Sequence, residues 1–253
     1  MSSQGSLRGK VALVTGAGRR LGRAIAERLG AEGMDVVLHC HGSRAGAEEA
    51  RQNIARAGGH ALVIEADLGV ASDRARLVLE SLGAFGGLDL VVPSAANFDR
   101  VEFAAWTEEH WRRAMSVNLE APVSLVRDLA PALAQRRGSA VLITDAALAH
   151  PHKHYFPYLV SKAALSYAVR VMAAELAPNV RVNAVAPGIV LAPEDLSPSE
   201  KTALLAAVPL DGEGAERGEG GAAVIADAVV YLAGAEFVTG TEMVVDGGRS
   251  LRG

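Results

Sequence analysis

The chain has 253 residues, half of them hydrophobic and only 4% aromatic, with a formal net charge of −4 and a single cysteine, Cys40. That length fits one α/β domain or two small ones, and the core must be built from Ala, Val, Leu and Ile. The acidic balance argues against nucleic acid or an anionic membrane as main partner, one cysteine excludes an intrachain disulfide and fits a reducing compartment, and no segment approaches the ~20 apolar residues of a membrane span.

In chain order, the apolar run Val11–Thr15 reads as a strand and Arg20–Gly30 as a helix. Asp35–His39 is a second strand, followed by a helix over Ala45–Ala57. Ala61–Glu65 and the helical stretch Ser72–Leu82 repeat the unit, as do Leu88–Val92 and a long helical stretch, Thr107–Arg137, that Pro122 and Pro131 end or kink. Ala140–Thr144, a helix over Tyr155–Leu176, Val180–Ala184 and Met243–Val245 complete the pattern. Strands this apolar are buried on both faces, so the sheet is predicted to be parallel with helices on either side. Right-handed crossovers then give a doubly wound α/β fold. Nothing marks a domain boundary, so one domain spanning residues 1–253 is expected. Residues 191–221 are irregular and rich in Pro, Gly and Glu, and are read as a substrate-loop insertion. No signal peptide is recognisable, and a cytoplasmic location is expected.

The loop Thr15-Gly16-Ala17-Gly18-Arg19-Arg20-Leu21-Gly22 follows the first strand and opens the first helix. Glycine there lets backbone N–H groups approach a pyrophosphate at a helix N-terminus. The second strand ends Leu38-His39-Cys40-His41-Gly42-Ser43-Arg44. It carries no carboxylate to hold a ribose diol or repel a 2′-phosphate. His39, His41, Ser43 and Arg44, with Arg19 on the first loop, offer groups for that phosphate, which favours NADPH over NADH. Ser43 can equally cap the next helix. Asp67-Leu68 ends the third strand, where the aspartate either meets an adenine or caps a helix.

The segment Tyr158-Leu159-Val160-Ser161-Lys162 places a phenol and an ammonium at i, i+4 on one helix face. Phenol titrates near ~10, and a neighbouring cation is expected to lower that value. Tyr155, Tyr167 and Tyr231 have no lysine at that spacing. Asp145 precedes Tyr158 by thirteen residues.

Together with Asn118 in Val117-Asn118-Leu119-Glu120-Ala121-Pro122, with Arg181-Val182-Asn183-Ala184-Val185-Ala186-Pro187-Gly188, and with Gly240 and Asp246-Gly247-Gly248, these segments resemble the short-chain dehydrogenase/reductase family over nearly the whole chain. The resemblance implies a Rossmann fold with a seven-stranded sheet. It makes Tyr158 the proton donor, and Lys162 the group that holds the nicotinamide ribose. Asn118 supports a water-linked relay, and Gly16, Gly18, Leu21, Gly22, Ala95, Pro187, Gly188, Ile189 and Val190 belong to the cofactor site. It also implies a homotetramer, with a dimer as the smaller alternative, built on the helices 107–137 and 155–176.

Two departures narrow the resemblance. Arg20 stands where most members have glycine, and Asp145 where most have serine. Both look like the pteridine reductase branch, and the ending Asp246-Gly247-Gly248-Arg249-Ser250-Leu251-Arg252 resembles bacterial dihydromonapterin reductases. A carboxyl at position 145 can pass a proton towards a ring nitrogen and re-protonate Tyr158. Arg20, Asn97 and Phe98 are then substrate contacts, with Phe98 stacking on a pterin ring. A third departure, Pro93-Ser94-Ala95-Ala96, replaces the family's Asn-Asn-Ala-Gly and lacks the asparagine that braces the sheet there. Ser94 or Asn97 is expected to take over that brace. Three functions follow: an NADPH-dependent pterin reductase, a carbonyl or 3-oxoacyl reductase in which Thr144 assists Asp145, or a family member that binds nucleotide without turnover. His150, His152 and His154 alternate before the tyrosine, and a loop at the substrate mouth is preferred to a metal site.

Overall fold

The computed structural model describes residues 6–189, 197, 199, 202, 206, 208–210 and 219–251. Seven strands are defined among them: β1 (Val11–Val14), β2 (Asp35–Cys40), β3 (Ala61–Glu65), β4 (Leu90–Val92), β5 (Ser139–Ile143), β6 (Arg181–Pro187) and β7 (Glu242–Val245). They pair in the order β3-β2-β1-β4-β5-β6-β7, and every pairing is parallel. The helices are α1 (Arg20–Ala31), α2 (Arg44–Arg56), α3 (Ala71–Ala84), α4 (Glu108–Met115), α5 (Ala121–Gln135), α6 (Phe156–Leu176) and α7 (Glu219–Gly234). Val190 and most of the 191–221 segment lie outside the described residues.

The strand period of two divides the core. Ala12, Val14, Val36 and Leu38 pack with Ile25 and Leu29 of α1, Ile54 of α2 and Ile225, Val229 and Leu232 of α7. Val11, Leu13 and Val37 face the other way, against Leu77 of α3, Leu125 and Leu129 of α5 and Leu165 and Val169 of α6. Helices therefore cover both faces, as the apolar strands require. Strand order reverses at β1, whose neighbours are β2 and β4. The carboxyl ends of β1 and β4 open the crevice in which such sheets bind ligands.

Two expectations change. The stretch 107–137 is three elements: α4, a π-helical turn over Ser116–Glu120, and α5. Pro122 sits in the first turn of α5, where its missing N–H costs nothing, and Pro131 is carried inside the helix. The helix α7 was not anticipated. Its outer face carries exposed Val224 and Tyr231 as well as the buried stripe, which blurs the 3.6-residue period.

Candidate active site

Thr15, at the end of β1, sets the floor of the crevice. Its buried hydroxyl oxygen accepts the N–H groups of both Ser94 and Ala95 at 3.0 Å. This pair of hydrogen bonds supplies the brace that Pro93-Ser94-Ala95-Ala96 lacks as a sequence. Asn97 does not supply it: its side chain donates to the Arg113 carbonyl of α4 at 3.2 Å. Ala95 instead meets Gly16. A Cβ at Gly16 would lie 2.9 Å from the Ala95 Cα, and its φ is +70°, so both space and backbone demand glycine.

The glycine loop then enters α1. Gly22 has room for no side chain, since a Cβ would meet the Gly16 carbonyl at 2.3 Å, and Gly18 is pressed against Ser43 in the same way. No side chain caps α1, and its first turn carries no acidic residue. Its orphan N–H groups thus face the crevice as an anion site, which fits a dinucleotide pyrophosphate. Arg20 heads the helix in the left-handed region at φ 48°, a conformation that costs a non-glycine residue roughly 1–2 kcal/mol and collects at functional sites. Arg19, Arg20, His41 and Arg44 are exposed at this end, and Leu21 is half-buried.

His39 is not at the surface. It is buried, its Nδ1 accepts the Gly16 N–H at 3.2 Å, and its Nε2 donates to the Ala66 carbonyl at 3.0 Å. Its assignment as a phosphate ligand is corrected: it ties the cofactor loop to the end of β3. Burial holds its pKa below the ordinary value, in keeping with a neutral ring. Ser43 precedes α2 without capping it. Arg44 meets Glu65 at 3.6 Å, and the Gly42 N–H reaches the same carboxylate. A carboxylate therefore does approach the end of β2, contributed by its neighbour β3. Both partners are exposed, so this pair is worth under ~1 kcal/mol and is readily exchanged for a phosphate contact. Asp67 closes an Asx turn onto the Gly69 N–H at 2.8 Å rather than capping α3, and Leu68 is buried.

At the other end of the crevice, Tyr158 and Lys162 lie on the first turns of α6 and are both buried. The phenol donates to Asp145 Oδ2 at 2.5 Å, and the other carboxylate oxygen accepts the Ala147 N–H at 2.7 Å. Asp145 thus starts a 3-10 turn and holds the tyrosine at once. The Lys162 ammonium donates to the Ile143 carbonyl at 2.7 Å and lies 5.8 Å from the Tyr158 ring centroid. Burial pulls its pKa down to about 8, against the field of Asp145. The phenol goes the opposite way from the expectation. Burial first, then the Asp145 charge and hydrogen bond, push it well above the usual phenol range.

Phe98 stacks on Tyr155 with ring centroids 4.5 Å apart and meets the Tyr158 ring edge-on at 4.6 Å. Asn118, on the π-helical turn, is buried and fully used. It accepts the Asn97 N–H at 2.8 Å and donates to the Asn97 carbonyl and to Ser161 Oγ, which in turn donates to the Tyr158 carbonyl. Its side chain clamps the Phe98 loop to α6. The Thr144 hydroxyl donates to the Val185 carbonyl, so it does not assist Asp145. Sequence reading missed Thr15, Tyr155 and Ser161. Tyr155 had a signal, its i, i+3 spacing from Tyr158 on one helix face.

A cavity of about 260 Å3 adjoins the site, lined by Ala146 and Ala147, His150 and His152, Gly188 and Arg249 among others. Pro187 is buried at the end of β6, and Gly188 and Ile189 are half-buried beyond it.

Residues 16–250 match the family model described as enoyl-(acyl carrier protein) reductase. The chain is 32% identical to the 3beta-hydroxysteroid dehydrogenase 1 of Eggerthella lenta, over 97% of this chain and 95% of that one. It is 32% identical to the granaticin polyketide synthase putative ketoacyl reductase 2 of Streptomyces violaceoruber, over 95% and 96%. The structure of the FolM alternative dihydrofolate reductase 1 of Brucella canis in complex with NADP superposes with a TM-score of 0.85 at 31% identity, covering 99% of this chain and 97% of that one. With its parallel seven-stranded sheet and its Tyr158/Lys162 pair, the chain is an oxidoreductase of the short-chain dehydrogenase/reductase family.

Proposed function

We propose that the chain is an NADPH-dependent reductase of pterin-type substrates, a dihydropterin or dihydromonapterin-like ring. The observation that carries this reading is the 2.5 Å hydrogen bond between Tyr158 and a carboxylate where most of the family has a hydroxyl. Bound NADPH supplies a hydride to a ring carbon. Everything else falls to the chain. Tyr158, kept protonated at neutral pH by burial and by Asp145, delivers a proton to the adjacent ring nitrogen. Asp145, the carboxylate that accepts the phenol's hydrogen bond, is placed to take up a proton from solvent after the transfer and pass it to the phenolate oxygen. Lys162 holds positive charge beneath the ring and offers donors to a ribose. Phe98, edge-on to Tyr158 and stacked on Tyr155, provides an aromatic wall for a flat heterocycle.

Preference for the 2′-phosphorylated cofactor is supported by Arg19, Ser43 and Arg44 at the exposed end of β2, and by the NADP complex of the FolM relative. The exposed Tyr167 and Val171 on α6 support assembly through this helix into a homotetramer, or a dimer. Among the described residues no helix is long and apolar enough to cross a membrane, and we infer a cytoplasmic enzyme.

The test is NADPH oxidation with dihydropterins, dihydrofolate and acetoacetyl thioesters. Oxidation with a dihydropterin, lost in Asp145→Ala, is the expected result. Failure of every pterin to support NADPH oxidation rejects the reading. The second reading, a carbonyl or 3-oxoacyl reductase, is favoured by the likeness to a ketoacyl reductase. It requires Asp145→Ser to retain activity on the thioester.

A further inference from the structure

The C-terminal segment folds back over the active site. Gly188 makes room for it: a Cβ there would lie 2.6 Å from the Asp246 Cα, and the Gly188 N–H donates to the Val245 carbonyl. Asp246 spends both carboxylate oxygens on its own turn, accepting the N–H groups of Gly248 at 2.9 Å and Ser250 at 2.7 Å. That turn carries Arg249 across to the 146–152 loop. There His150 Nε2 donates to the Ser250 carbonyl and the Arg249 guanidinium donates to His152 Nε2, both at 3.0 Å. A guanidinium cannot accept, so His152 Nε2 must, and the ring is neutral.

The two arms border the cavity of about 260 Å3. This is smaller than the roughly 300–1,000 Å3 of a pocket for a whole ligand. It lies between Ala146-Ala147, which follow Asp145, and Gly188. It therefore suits a substituent leaving the reaction centre rather than the reacting ring. Its wall offers few charges. Asp145 and Asp246 lie within the electrostatic field of Arg249, but Asp145 is held by Tyr158 and Ala147 and Asp246 by its own turn. Among the described residues no carboxylate pairs with Arg249 within 4.0 Å. A half-buried planar fork, steadied by a neutral histidine and lacking an anion, is suited to bidentate recognition of a carboxylate.

We propose that Arg249, positioned by His152, binds a carboxylate carried on the substrate's side chain, making this cavity a specificity subsite. For the identity of the ring this rests on the pterin reading. It selects, among pterins, those with an acidic tail over those with a neutral one.

The experiment compares kcat/KM for dihydrofolate, which carries carboxylates, with that for a dihydropterin bearing a neutral hydroxyalkyl group. In Arg249→Met the ratio should fall about 10- to 100-fold, the worth of a charge-assisted contact. Arg249→Lys keeps the charge without the fork and should fall in between, and it carries the test if Arg249→Met does not fold. Equal effects on the two substrates overturn the proposal. Failure of the pterin reading is distinguished by a second pair, acetoacetate and its methyl ester, and by equilibrium binding of all four ligands followed through tryptophan fluorescence. If neither pterin binds, loss of selectivity in the second pair upholds the role of Arg249, and equal effects there overturn it. Failure of the carboxylate member of both pairs to bind the wild-type enzyme rejects it.

Discussion

Tyr158 donates its phenol proton to Asp145 at 2.5 Å, while Lys162 turns its ammonium to the Ile143 carbonyl. The phenol is therefore governed by an anion and by burial rather than by the cation four residues on. Asp145→Asn keeps the shape and removes the charge. One tyrosine should then titrate at lower pH than in the wild type, read by ultraviolet difference spectroscopy. Activity on a pterin should fall about a hundredfold or more. A titration that stays put or moves upward contradicts this account.

Lys162 gives a prediction of stability against pH. Its folded pKa is depressed to about 8 by burial, and its unfolded value is near ~10.4. Between the two the unfolded chain holds a proton that the folded one has lost, so this contribution grows as pH rises through that window and is lost as pH falls back to about 8. Tyr158, raised in the folded state, acts in the opposite sense only above the phenol's unfolded value near ~10. Urea midpoints of the wild type should climb from about pH 8 to about pH 10 more steeply than those of Lys162→Met. Parallel curves count against the depressed value.

Thr15 accounts for the segment that departs most from the family. Thr15→Val keeps the volume and removes the acceptor shared by the Ser94 and Ala95 N–H groups. Leaving those donors short costs about 1–3 kcal/mol. Chemical denaturation should show that loss, with weaker cofactor binding because Gly16 packs on Ala95. Ser94→Ala removes only a hydroxyl and should be far milder.

The same residues mark how far the sequence could be read. Apolar strands buried on both faces and regular alternation made the parallel sheet legible, and the i, i+4 spacing put Tyr158 and Lys162 on one helix face, because both depend on local spacing; Asp145, thirteen residues from Tyr158, was drawn to them only by the family resemblance, and the structure brings its carboxylate to the phenol. What escaped depends on the register between distant segments. His39 looks like a phosphate ligand until β2 is seen to turn it inward beneath Gly16. Glu65 lies twenty-one residues after Arg44 and becomes its neighbour only when β3 pairs with β2. The sign of the Tyr158 shift depends on burial, which no helical spacing encodes.

His39 leads to the last prediction. It is the neutral link between the Gly16 N–H and the Ala66 carbonyl, and the titratable groups acting on it are His41, which opposes its charging, and Asp67, which favours it. Its folded pKa is depressed, chiefly by burial, below an unfolded value near ~6.5. The stability it contributes is therefore complete above that pH and is lost as pH falls through the folded value. Protonation also takes the acceptor from Gly16, so NADPH affinity should weaken over the same acid range. His39→Ala abolishes both hydrogen bonds, should cost about 2–4 kcal/mol at neutral pH, and should flatten the acid limb of both curves. His39→Asn, which can present an acceptor at the Nδ1 position, should recover part of the affinity without the pH dependence. Fluorescence titration of NADPH across this range decides the matter: an acid limb that persists in His39→Asn assigns it to another group.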